Sequence, residues 1–188
     1  VRYKERLLLK KYLVNHVKIV DLHFHLHPNV PLNSSDPIVC QFRRYVSHRE
    51  LLKVMDKSGI HQVIIFGMPS FEEDNSFINE SILRYCALAP TRLIPFAILY
   101  DTLDVSKAVA QGFRGFKEHV YGQRILRTCN REPGLATPHR KSMYFQISKY
   151  RLPVLTHMGP NVVERITDIL RFSPELILIV AHLGMSFS

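Results

Sequence analysis

From Asp21 to His27 the chain reads Asp-Leu-His-Phe-His-Leu-His, alternating ionisable and apolar side chains without a break, with Ile19-Val20 leading in. Period two is the signature of a β-strand, which sends successive side chains to opposite faces. Asp21, His23, His25 and His27 are therefore expected on one face, and Val20, Leu22, Phe24 and Leu26 on the other. Four ionisable groups in a row are a poor choice for a buried face. A cation changes that balance, because two neutral imidazoles two residues apart on a strand can reach one ion from the same side. A half-exposed strand with a His-rich polar face fits the same residues, so the rest of the chain has to decide between the two.

At 188 residues the chain is long enough for one domain with a full core. Its 46% hydrophobic and 22% charged content places it with soluble globular proteins. No apolar run reaches bilayer length, and the N-terminus lacks the cleavage site of a secretory signal. Cys40, Cys86 and Cys129 are odd in number and form no CxxC pair. They read as reduced thiols filling a core, which makes a cytoplasmic location the expectation. The formal charge of +9 is spread along the chain without a dense basic run. It favours a small anionic substrate over nucleic acid or a membrane surface, and a homo-oligomer is compatible with it. Residues 1–15 carry leucines among lysines and arginines, a short basic amphipathic helix, and 16–188 form the main domain. The first residue is Val1 and the last, Gly184 to Ser188, directly follow an apolar run, so both ends read as cut from something longer.

Beyond the first strand, apolar runs and helical spacings alternate. Ser47-His48-Arg49-Glu50 is a capping box that opens a helix closed by Gly59. A buried strand is expected over 61–68, a helix over 75–89, and a third strand over 92–100 with Pro95 inside it. A short helix over 105–111 precedes a fourth strand over 112–119, and Thr137-Pro138 starts a helix running to about Tyr150. The fifth strand is 153–157, a helix follows from Asn161, and the sixth strand is 176–182. Such alternation implies parallel strands with right-handed crossovers. An open doubly wound sheet and a (β/α)8 barrel both satisfy it, although no Gly-rich phosphate fingerprint follows the first strand.

In either architecture the chemistry collects at the C-terminal ends of the strands. His23 and His25 close the first strand, Lys117 and His119 the fourth, His157 the fifth and His182 the sixth. Clustered imidazoles repel once protonated, and a divalent metal in place of the protons removes that cost. Asp-Leu-His-Phe-His over 21–25, Gly-Phe-Lys-Glu-His over 115–119, Pro-Val-Leu-Thr-His over 153–157 and Val-Ala-His-Leu-Gly over 180–184 follow in this order. Together they resemble the signatures of the amidohydrolase superfamily. More narrowly they are similar to its amidohydrolase-related branch, which holds aminocarboxymuconate-semialdehyde decarboxylase, resorcylate decarboxylases and several hydrolases. The resemblance spans roughly residues 18–185 and implies a (β/α)8 TIM barrel of metal-dependent hydrolase type, present here through about the sixth strand. It implies one divalent metal at the barrel mouth, or two, usually zinc. His23, His25 and His157 would be ligands, and His182 the catalytic histidine or, in a two-metal site, a further ligand. The family completes its metal site with an Asp at the end of an eighth strand, and no residue of this chain matches it.

The remaining candidates line the substrate side. By alternation Lys117 and His119 share a face with Gly115, while Glu118 faces away with Phe116. Lys117 has three readings: a bridge between two metals if carboxylated, a contact for an anionic substrate, or a rim salt bridge. His27 and His119 are secondary candidates for substrate contact. Arg43 and Arg44 either hold a substrate carboxylate through paired hydrogen bonds or are solvated ahead of a helix, and Tyr121, Arg124 and Arg127 belong to the same rim. The reaction implied first is hydrolysis of an amide, lactone or related bond by a metal-activated water. Nonoxidative decarboxylation of an aromatic or unsaturated acid uses the same ligands. A non-catalytic remnant of such an enzyme is the third reading.

Overall fold

The computed structural model describes residues 18–26, 46–67, 75–119, 138–157 and 162–181. The expected N-terminal helix, His27, Arg43, Arg44, Cys40, Cys129, the segment with Tyr121, Arg124 and Arg127, and His182 lie outside the described residues. Among those described, strands and helices alternate in chain order. They are β1 (Ile19–His25), α1 (His48–Ser58), β2 (Ile60–Phe66), α2 (Asn75–Cys86), β3 (Leu93–Pro95), β4 (Ala97–Ile98), α3 (Val105–Gln111), β5 (Phe116–His119), α4 (Pro138–Lys149), β6 (Pro153–His157), α5 (Val162–Phe172) and β7 (Ile177–Val180). No described helix is long and apolar enough to cross a membrane.

Every strand pair is parallel, and the order is sequential: β1-β2-β3 in one sheet and β4-β5-β6-β7 in the other. The two sheets meet within the segment expected as one third strand. Leu93–Pro95 pairs with β2, Ala97–Ile98 pairs with β5, and Phe96 is the joint. Pro95 has no N–H to donate, so an unbroken ladder cannot run through it. Backbone bonds nevertheless cross the joint on both sides. Phe96 donates to the Ile65 carbonyl at 2.9 Å, and Arg114 donates to that of Pro95 at 2.9 Å. The wall is therefore continuous from β1 to β7. A sheet that never reverses its order is the wall of a barrel, because a doubly wound sheet must switch direction at one point.

Two layers of apolar side chains confirm the assignment. Val63, Ile65, Leu93, Ala97, Phe116 and Val154 pack outward against Leu51, Met55, Ile82, Tyr85, Val105, Met143 and Ile147 of the helices. Ile64, Phe66, Phe96, Leu155 and Ala181 form a second cluster on the opposite face, the barrel interior. The fourth strand begins at Phe116, later than the expected residue 112, because Gly112 closes α3 in the left-handed region at φ 107. Gly115 is buried directly beneath the Phe96 ring, leaving no room for a Cβ.

The helix ends are the ones the sequence encodes. Ser47 accepts from the Glu50 N–H at 3.3 Å while the Glu50 carboxylate accepts from the Ser47 N–H at 3.0 Å, closing the capping box. A less expected element is Asn79, buried on α2. Its side chain accepts from the Ile98 N–H at 2.8 Å and donates to the Ile98 carbonyl at 3.2 Å. That pair of bonds satisfies the end of the two-residue strand β4 from outside the sheet.

Gly115→Ala tests the packing of the joint. The added methyl must displace the Phe96 ring from the inner cluster, an overpacking cost of about 1–3 kcal/mol. Urea unfolding of the two proteins measures it, and equal stabilities would show that the ring has room to move.

Candidate active site at the strand tips

Four strands end on residues that could meet a ligand: β1 on His25, β2 on Phe66, β5 on His119 and β6 on His157. Parallel pairing puts all four ends on one rim. The register ties them in pairs, with His25 opposite Phe66 and His119 opposite His157.

β1 departs from the even alternation expected of it. Three steps from Asp21 to Phe24 pair with the two steps from Val63 to Ile65 on β2, so one extra residue is accommodated there. Asp21 stabilises this irregularity by accepting from the His23 N–H at 3.0 Å. The result is close approach of two rings. His23 Nε2 and His25 Nε2 stand 3.0 Å apart, and both residues are half-buried. Two ring nitrogens at this distance require something positive between them, a proton on one ring or a cation shared by both. Two nitrogens each about 2.0–2.1 Å from one metal ion lie roughly this far apart when they subtend about a right angle. The pair thus fits a metal as a two-nitrogen edge, of the imidazole type that suits zinc, copper, iron or nickel. Among the described residues no three His, Cys, Asp or Glu side chains gather closely enough to hold an ion. His157 is half-buried at the same rim, on β6.

Phe66 is the functional residue that sequence reasoning passed over. Its ring meets both histidines edge-on, at centroid distances of 5.1 Å for His23 and 4.6 Å for His25. From across the barrel, Lys117 Nζ lies 5.1 Å from the same centroid. One aromatic face therefore links β1, β2 and β5. Alternation from Ile64, two residues earlier on a buried run, marks Phe66 as inward-facing. Its partners follow only from register.

Lys117 is fully buried, and its Nζ has no hydrogen-bond partner among the described residues. Burial pushes its pKa down to about 7, opposed by the nearby Glu118 carboxylate. Glu118 faces outward, as alternation predicts. There it accepts from the Tyr144 hydroxyl at 3.0 Å and lies 3.6 Å from Arg140 Nη1. Arg140 also pairs with Asp101 at 3.1 Å, just beyond β4. Burial raises the Glu118 pKa, with Arg140 the chief opposing influence. The guanidinium thus ties the ends of β4 and β5 to α4, on the helix side of the wall.

Residues away from this rim have simpler roles. His61 accepts from the Ile19 N–H at 3.1 Å, an edge contact of β1. His139 is exposed. Cys86 is buried, and its thiol pKa is pushed up to about 12 by burial, so it stays protonated and inert.

No protein-family model and no curated protein matches this sequence. Solved structures do match the fold. A probable 2-pyrone-4,6-dicarboxylic acid hydrolase from Acinetobacter baumannii superposes with a TM-score of 0.66 at 18% identity, covering 89% of this chain and 59% of that one. A 2,6-dihydroxybenzoate decarboxylase from Rhizobium gives 0.64 at 20% identity, over 89% of this chain and 67% of its own. A dihydroxybenzoic acid decarboxylase from a Polaromonas species, solved with bound manganese and the inhibitor 2-nitroresorcinol, gives 0.59 at 16% identity, over 89% and 66%. This chain thus spans about three fifths to two thirds of their lengths. The fold is the (β/α) barrel that these structures share, and the described strands form part of its wall.

Two substitutions probe the opposite faces of β5. Arg140→Met leaves Glu118 buried without its cation and is expected to cost about 3–5 kcal/mol near neutral pH. A carboxylate whose folded pKa is raised binds more protons folded than unfolded, so the loss should shrink as pH falls through that pKa. Lys117→Met removes an unpaired buried amine and should raise the melting temperature at pH 7. Lys117 binds fewer protons folded than unfolded between about pH 7 and 10.5, so wild-type stability gains as pH rises there and the advantage of Met shrinks. Thermal melts across pH check both signs.

Proposed function

We propose that this chain is a metal-dependent enzyme of the amidohydrolase type. It would hydrolyse an amide, lactone or related bond of a small anionic substrate. The observation that carries this reading is the His23–His25 pair, with Nε2 atoms 3.0 Å apart at the rim where β5 and β6 also end in histidine. A structural histidine pair has no need of further histidines at neighbouring strand tips. An ion-binding rim does.

In this reading His23, His25 and His157 would hold the ion, with zinc the first expectation, and His157 would have to move toward the other two, since the described side chains do not gather the three closely enough for an ion. When bound, a divalent metal supplies a Lewis acid and an activated water at neutral pH. The chain's own contribution is placement. The extra residue between Asp21 and Phe24 lies beside the two rings of β1, and Phe66 flanks them from the neighbouring strand, level with His25. His182 is assigned the proton relay or the polarising of the substrate carbonyl, and Lys117, His119, Arg43 and Arg44 the substrate's negative groups.

Nonoxidative decarboxylation is the second reading, supported by decarboxylases among the structural neighbours, one of them carrying manganese. It uses the same residues on an aromatic or unsaturated acid.

Metal analysis of the purified protein, paired with His25→Ala, tests the shared premise. The expected result is about one divalent ion per chain in the wild type and a loss of about 10- to 100-fold or more in metal affinity for the variant. Equal metal content in both, or none in either, would remove the enzyme reading. CO₂ release measured against bond hydrolysis, on a panel of aromatic acids, amides and lactones, then separates the two reactions.

A further inference from the structure

We propose that Lys117 is the anion anchor of this site, a buried ammonium that serves as counter-ion to a carboxylate on the ligand. The location of the site rests on the reading above. The anchoring role rests on Lys117's own surroundings.

Lys117 is 0% exposed, and its Nζ has no hydrogen-bond partner among the described residues. The neighbouring acid acts on it only through the field and makes no hydrogen bond to it. Glu118 points to the other face of β5, engaged with Tyr144 and Arg140. What Lys117 meets instead is the Phe66 ring, 5.1 Å from Nζ, the ring whose edge contacts are His23 and His25. The cation therefore faces the same interior as the histidine pair, two residues below the tip of β5. An aromatic face returns only part of what an ammonium gives up on leaving water. A fold that needed only packing here would do better with Met or Leu. Side chains that break a packing rule without local compensation mark places where the compensation arrives with a ligand.

The kind of anion follows from the walls. Leu155 is in register with Lys117, and Phe66, Phe96 and Ile64 complete an apolar and aromatic interior. One ammonium against such walls suits a single negative charge on an apolar, flat body. A carboxylate supplies that charge with two acceptor oxygens, forming a charge-assisted hydrogen bond with Nζ. A phosphate would call for more donors than this layer of the interior offers.

The test compares benzoate with benzamide, which differ in charge and little in shape, by calorimetric titration of the wild type and Lys117→Met. The wild type should bind benzoate at least about tenfold more tightly than benzamide, and Lys117→Met should lose that preference while binding benzamide unchanged. Benzoate should also raise the melting temperature of the wild type and not of the variant. If Lys117→Met does not fold, Lys117→Gln replaces it, and the wild-type preference stands as a test by itself. No binding of benzoate, no preference over benzamide, or a preference that survives loss of the ammonium would each overturn the proposal. So would a bicarbonate-dependent ¹³C carbamate resonance that disappears in the variant, since a carboxylated lysine is itself an anion. Lys117-dependent benzoate binding in a protein that holds no metal and turns over nothing would keep the anchor and remove the enzyme. A metal-loaded, active protein indifferent to Lys117→Met would do the reverse.

Discussion

The parallel ladders from β1 to β7 run without a reversal of order, and each hydrogen-bonded rung ties the height of one strand tip to the next. Residues as distant as His25 and His157 come to one rim for this reason alone. The constraint is strict. In parallel strands a one-residue slip would lower a tip and also turn its side chains to the other face. Where the ladder does slip, on β1, Asp21 accepts from the His23 backbone, and the slip brings two imidazoles together.

β5 shows how much one short strand can separate. Lys117 and Glu118 are adjacent and oppositely charged, yet the pleat sends them to opposite sides of the barrel wall. On the outside Glu118 is satisfied by Tyr144 and Arg140, both on the helix that follows, and Arg140 reaches on to Asp101. This network, buried at Glu118, Tyr144 and Arg140 and reaching the exposed Asp101, holds α4 against the ends of β4 and β5. On the inside Lys117 Nζ lies 5.1 Å from the Phe66 ring centroid and has no hydrogen-bond partner among the described residues. The outer charges are paired within the fold, and the inner one is the group we propose meets a ligand.

Legibility in the sequence tracked how local each cause was. The capping box at Ser47, the Gly59 helix end and the strand over 153–157 depend on residues a few positions apart, and all stand where the sequence puts them. The opposed facing of Lys117 and Glu118 was also readable, because alternation is local. The break at Phe96 was foreshadowed by Pro95, although the proline could not say that the chain would change partners there. Asn79 stood out only as an amide on an apolar helix stripe, and its target at Ile98 lies 19 residues away. Phe66 looked like ordinary strand core until the register set it against His23, His25 and Lys117.

By itself, then, the sequence determined the alternation of strands and helices, the faces of each strand and the types of side chain delivered to the tips. These follow from steric periodicity and capping, which act within a few residues. Only the tertiary structure decided between an open sheet and a barrel, brought Nε2 of His23 to 3.0 Å from that of His25, and left Lys117 without a polar partner among the described residues. Those outcomes depend on strand order, register and burial, and each is a relation between segments far apart in the chain. No local rule specifies such relations, since the hydrogen bonds and packing that set them exist only once the wall is assembled.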